Sequence, residues 1–103
     1  MQIEVDFFQS NHEGDLVDRL QDAETYDGVV LNPAGFTHSS VAIRDAVSVL
    51  STPTIEVHVS NLHARESFRR RSLIAGACWG QISGLGVEGY LAALTALARR
   101  ARP

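Results

Sequence analysis

The stretch Thr54-Ile-Glu56-Val-His58-Val-Ser60-Asn61 has the spacing best suited to chemistry. On a strand, period-two alternation sends Ile55, Val57 and Val59 to one face and Glu56, His58 and Ser60 to the other. Side chains two positions apart on a strand start about 7 Å from each other. A Glu56 carboxylate can therefore meet the His58 imidazole directly or through one partner, orienting the ring and favouring its protonated form. The plainer alternative is a strand with one polar, wet face. Against it, these residues occupy the carboxyl end of a strand, where parallel α/β sheets bind ligands.

A second group leaves a strand in the same way. Asn32-Pro33-Ala34-Gly35-Phe36-Thr37-His38 follows a short apolar run, and Asp45 comes seven residues after His38, about two turns into the next helix. Asn, His and Asp are groups that recognise hydroxyls. Taken alone, the segment also fits a capped helix start, with Thr37 or His38 simply ending a loop. The densest cation group is Arg65, Arg69, Arg70 and Arg71, and guanidinium forks suit planar carboxylates or phosphates. A small polyhydroxylated carboxylate would use both sets.

Three other patterns point less far. Gly84-Leu-Gly86-Val-Glu-Gly89 matches G-x-G-x-x-G between a strand and a helix, but the second strand with an acid that a dinucleotide site needs does not follow. Glycines for a tight strand-to-helix turn are the better account. Gly76-Ala-Cys78-Trp-Gly80 resembles a nucleophile elbow with Cys for Ser, yet Cys78 is expected inside a strand running from 77 to 83, so a buried structural cysteine is preferred. His12, His38, His58 and His63 lack the paired spacing of a zinc motif and have no cysteine pair beside them, so no metal site is expected.

Positioning these groups requires the following elements. Alternation predicts a strand over residues 2–8, and the S-x-x-E form of Ser10 to Glu13 predicts a capping box opening a helix over about 12–24. Residues 28–32 form a continuously apolar run, as in a strand buried on both faces. A loop over 33–37, a helix over 39–50, a strand over 54–59, an Arg-rich loop with a helical turn over 61–72, a strand over 77–83 and a helix over 87–101 complete the chain. Arg99, Arg100 and Arg102 complement the negative end of the last helix. The order β-α-β-α-β-turn-β-α predicts an α/β, doubly wound parallel sheet.

Composition bounds the rest. At 103 residues and 45% apolar, the chain is long enough for one small domain with a core, and too apolar for disorder. No apolar run approaches the ~18 residues of a membrane helix, and no membrane partner is expected. The acidic start, Met1 to Asp6, does not resemble a targeting leader. One cysteine, Cys78, allows no internal disulfide, which fits a cytoplasmic protein. All nine cations are Arg, and eight acids crowd residues 1–27 against Arg19 alone. A net charge of −3 makes nucleic acid a poor partner.

Together the segments resemble the type II 3-dehydroquinate dehydratases. The match is carried by Phe8-Gln9-Ser10-Asn11-His12-Glu13-Gly14, by residues 32–46 from Asn32-Pro33 to Asp45-Ala46, and by residues 56–69 from Glu56-Val57-His58 to Phe68-Arg69, with a weaker echo in Ile82-Ser83-Gly84-Leu85-Gly86 and Gly89-Tyr90. The resemblance implies a flavodoxin-like fold and an anti elimination of water from 3-dehydroquinate through an enolate, giving 3-dehydroshikimate without metal or organic cofactor. It makes His58 the general acid, Glu56 the group that orients it, and Arg65 a support for the charge of a tyrosinate base. It makes Asn32, His38 and Arg69 contacts to substrate hydroxyls, and Val59 and Ser60 the holders of its carboxylate. Asp45 would be lent across a subunit interface, implying trimers or a dodecamer.

The family's chains ordinarily begin with a further strand and a mobile loop bearing an Arg and the base Tyr, whereas Met1 falls at the family's second strand. Tyr26, expected at the amino end of a strand, and Tyr90, in the last helix, are not expected to replace that base. A segment missing from the amino end is the leading expectation, so residues 1–103 form a single domain, incomplete there. Little activity is then expected of this chain by itself. A solitary monomer is not expected to be stable either, because the first strand would be central to the sheet. The alternative is a silent ligand-binding or assembly subunit that keeps the pocket without the base. A signalling receiver of the same fold would need clustered acids where Asn32 and Ser60 stand.

Overall fold

The computed structural model describes residues 2–102. Three helices and three strands carry the architecture: α1 (Glu13–Gln21), β1 (Val29–Leu31), α2 (Val41–Val49), β2 (Thr54–His58), β3 (Gly80–Ser83) and α3 (Glu88–Ala101). The strands form one parallel sheet in the order β1-β2-β3, with Leu31 opposite Glu56 and Glu56 opposite Gln81. The expected α/β class and parallel winding are observed.

Packing follows the strand alternation. Leu31 joins Leu20, Ile43, Ala46, Val47 and Ile74 in a core under α1 and α2. Ile55 and Val57 face the other way, joining Ala93 and Leu97 of α3. Helices thus cover both faces, and every residue of β2 is buried. This removes the alternative of a wet strand face: Glu56 and His58 are polar groups inside a closed layer.

Several boundaries differ from expectation. Residues 2–8 form no strand, and Met1 lies outside the described residues. Alternation marks a chain able to line a sheet, but a strand also needs a backbone partner, and among the described residues none pairs with it. The segment is held instead by side chains, with the Tyr26 hydroxyl donating to Asp6 and the Arg19 guanidinium 5.9 Å above the Phe8 ring. The capping box is not formed: His12 is the N-cap of α1, while Ser10 accepts from the His12 amide and donates to Asp15. The helix ends at Gln21 and is followed by a separate 3-10 turn over Ala23–Thr25. Residues Ala34–His38 are likewise a 3-10 turn, and Ser40 caps α2 by accepting from the Ile43 amide at 2.9 Å. Finally, Ala75–Ala77 is a 3-10 turn, so β3 starts at Gly80 and Cys78 lies ahead of it.

Candidate functional site

The site gathers at the carboxyl ends of the strands. Glu56 is fully buried, and His58 is only 5% exposed. Their separation is resolved as a direct contact, His58 Nε2 to Glu56 Oε2 at 2.9 Å. Two further groups hold the carboxylate: Ser72 Oγ lies 2.8 Å from Oε1, and Gln81 Nε2 lies 2.5 Å from Oε2. Burial pushes the Glu56 carboxyl up, but hydrogen bonds from His58, Gln81 and Ser72, with the His58 charge, outweigh it and hold the group below its ordinary value. Neither Ser72 nor Gln81 stood out in the sequence. The only signal for Gln81 was a polar residue beside Ile82 in a strand; Ser72 was lost in an Arg-rich run.

The glycine turn fixes the end of β2. Gly84 and Gly86 take φ of 89° and 59°, and their amides donate to the carbonyls of His58 at 3.2 Å and Val59 at 3.0 Å. A Cβ on Gly84 would meet Asn61 Cβ at 3.1 Å. The G-x-G-x-x-G run is thus a tight strand-to-helix turn packed on the end of β2.

Beyond β2 the Arg-rich segment folds back. Arg65 donates to Ser60 Oγ at 3.3 Å, and its Nε lies 3.8 Å from Glu66. Arg69 pairs with Glu66 at 3.2 Å, and its guanidinium sits 4.9 Å above the Phe68 ring. Phe68 meets the His38 ring edge-on, with centroids 6.1 Å apart. His38 Nδ1 lies 2.8 Å from the Arg71 carbonyl, which can only accept, so the ring bears hydrogen there. His38, Arg65, Arg69 and Ser60 are thereby linked through one segment.

Asn32 is oriented from both ends. Its Oδ1 accepts from the Ala34 amide at 3.0 Å, and its Nδ2 donates to the Tyr90 hydroxyl at 2.8 Å. Tyr90, in the first turn of α3, was marked in the sequence only by the family match and as a tyrosine not expected to be the base; its contact with Asn32 had no signal there. Asp45 is not brought among these groups: it stands on the exposed face of α2 between the exposed side chains of Val41 and Val49. Val59 is exposed at the end of β2.

Cys78 carries no elbow. The turn precedes it and the strand follows, the reverse of strand-turn-helix. Burial, then the Glu56 charge, pushes its thiol up to about 12. Among the described residues no group of three His, Cys, Asp or Glu side chains is placed to hold a metal ion, and no helix is long and apolar enough to cross a membrane.

The family model described as Dehydroquinase class II matches residues 1–98. A protein named 3-dehydroquinate dehydratase from Bacillus licheniformis is 62% identical over 96 residues, covering 92% of this chain and 66% of that protein. One of the same name from Thermotoga maritima is 60% identical over 92 residues, covering 89% and 63%. Among solved structures, the type II dehydroquinase of Butyrivibrio crossotus superposes with a TM-score of 0.84 at 47% identity, covering 87% of this chain and 64% of that one. That of Propionibacterium acnes gives 0.84 at 41%, covering 88% and 68%. The chain spans just under two thirds of the length of the first two curated relatives it matches.

Proposed function

The chain belongs to the class II dehydroquinase family, and on that premise we propose that its site binds 3-dehydroquinate and supplies the acid for an elimination of water that gives 3-dehydroshikimate. The observation that carries this is the 2.9 Å contact between Glu56 and His58 at the carboxyl end of the central strand. An ionised Glu56 stabilises the imidazolium, and His58 passes a proton to the departing hydroxyl as the C–O bond breaks, so water leaves instead of hydroxide. Asn32, His38 and Arg69 take the substrate hydroxyls, Val59 and Ser60 its carboxylate, and Arg65 supports negative charge at the site. The chemistry of these groups needs no metal or organic cofactor.

We read residues 1–103 as one domain that works in the cytoplasm and associates as trimers or a dodecamer. The exposed stripe Val41, Asp45, Val49 on α2 supports such a contact, with Asp45 reaching a neighbouring site.

The engagement of both tyrosines favours a second reading. Tyr26 is tied to Asp6 and Arg19, and Tyr90 to Asn32, so neither is assigned as the base. In that reading the chain keeps the pocket as a binding or assembly subunit. A dehydratase assay, run with an intact-mass check and a thermal shift with 3-dehydroshikimate, separates the two. Enone formation supports the enzyme, protection without enone the silent subunit, and neither result overturns both.

A further inference from the structure

The Ser72 hydroxyl has three neighbours and one hydrogen. The backbone N–H groups of Ile74 and Ala75 donate to its oxygen at 3.1 and 2.9 Å. A hydroxyl oxygen has two lone pairs, and both are thereby used. Its O–H can only donate, and it reaches Glu56 Oε1 at 2.8 Å. A proton on Oε1 is therefore excluded. The other carboxylate oxygen faces the amide nitrogen of Gln81, itself a donor, at 2.5 Å and His58 Nε2 at 2.9 Å.

We infer that Ser72 is a positioning residue: by donating to Glu56 Oε1 it bars a proton there, and together with the Gln81 donor on Oε2 it holds the carboxylate as an acceptor for a hydrogen on His58 Nε2, leaving Nδ1 to face a ligand. The titratable groups facing Glu56 are His58 on its own strand and Cys78 ahead of β3; Ser72 and Gln81 are the neutral donors. The catalytic meaning rests on the function proposed above. In that reaction the imidazolium gives its Nδ1 proton to the leaving oxygen and becomes neutral imidazole with its Nε2 hydrogen in place. The geometry itself holds whether or not the chain turns over substrate.

Two NMR measurements on the 103-residue chain test the inference without turnover. In the unsubstituted protein with the ring neutral, the His58 nitrogen shifts are expected to show hydrogen on Nε2 and a bare Nδ1; the opposite tautomer overturns the assignment. The Glu56 carboxyl carbon is then followed through acid titration. In Ser72→Ala its midpoint is expected to shift to higher pH, because the carboxylate loses a donor. Ser72→Thr, which keeps the hydroxyl, is expected to restore it. An unmoved midpoint in folded Ser72→Ala also overturns the assignment, since a hydroxyl serving only the Ile74 and Ala75 amides would leave Glu56 untouched. If Ser72→Ala does not fold, the tautomer in the parent decides. A silent dehydratase assay with both signatures as expected would count against the function and leave the role of Ser72 standing.

Discussion

Glu56 and Gln81 are Cα partners in the parallel ladder, and this register brings the Gln81 amide onto Glu56 Oε2 at 2.5 Å. Side chains opposite each other in neighbouring strands point to the same face. The carboxylate in contact with His58 is thus braced from the adjacent strand as well as from its own.

Replacing that carboxylate should lower stability in a pH-dependent way. Because folding holds the Glu56 carboxyl below its ordinary value of 4.5, its contribution is fully present above that value and is lost as pH falls through the lowered folded value. Glu56→Gln is expected to cost about 3 kcal/mol in urea unfolding at neutral pH, as for a broken buried pair. The gap to the parent should narrow on acidification. Glu24 and Glu66 shift in the same direction, so the comparison must be between parent and variant rather than against the pH scale alone.

His58→Gln separates binding from chemistry. In any assembly of this chain that forms enone, turnover is expected to drop about 10²- to 10⁴-fold, the usual worth of a positioned acid. Heat protection by 3-dehydroshikimate should persist. Loss of protection with unchanged turnover would contradict the acid role.

Arg69→Ala should weaken 3-dehydroshikimate binding about tenfold or more in calorimetry, the worth of a charge-assisted hydrogen bond. Arg69→Lys should not restore it, because the planar guanidinium rests 4.9 Å above Phe68 while pairing with Glu66, and an ammonium lacks the flat face and forked donors that serve both contacts and a ligand.

Gly84→Ala and Gly86→Ala share a left-handed backbone but not the same surroundings. Each should lose about 1–2 kcal/mol for φ alone. Only at position 84 does the new methyl also press on Asn61, at 3.1 Å, whereas space is open at 86. Thermal unfolding should therefore rank Gly84→Ala as the less stable of the two.

Cys78, with its thiol pushed up to about 12, should resist alkylation. At pH 8 its thiolate fraction is about a thousandfold below that of an ordinary thiol. Iodoacetamide followed by intact mass should show labelling only on unfolding.

Much of this was legible in the sequence wherever local pattern decides structure. The alternation from Ile55 to His58 placed Glu56 beside His58 correctly, and the positions of Gly84 and Gly86 announced a turn. Patterns that depend on a distant partner were not legible. Residues 2–8 alternate like a strand yet pair with no neighbour among the described residues, and Ser10 binds Asp15 rather than closing a capping box with Glu13. Ser72, Gln81 and Tyr90 reach the site from 16, 25 and 58 positions away from the residues they hold, distances at which no periodicity operates.

Those separations also bear on how the chain acquires its site. The contact from His58 to Glu56 spans two residues and can form within a single extended segment, whereas the contacts from Ser72 and Gln81 wait for the turn at 75–77 and for β3 to dock. Long-range parallel pairing is the slow part of folding such sheets. A chain caught before that step would carry a carboxylate still bathed in water, titrating in the ordinary range. The protonation of one glutamate therefore reports whether β3 has docked, readable in a refolding experiment without any added dye.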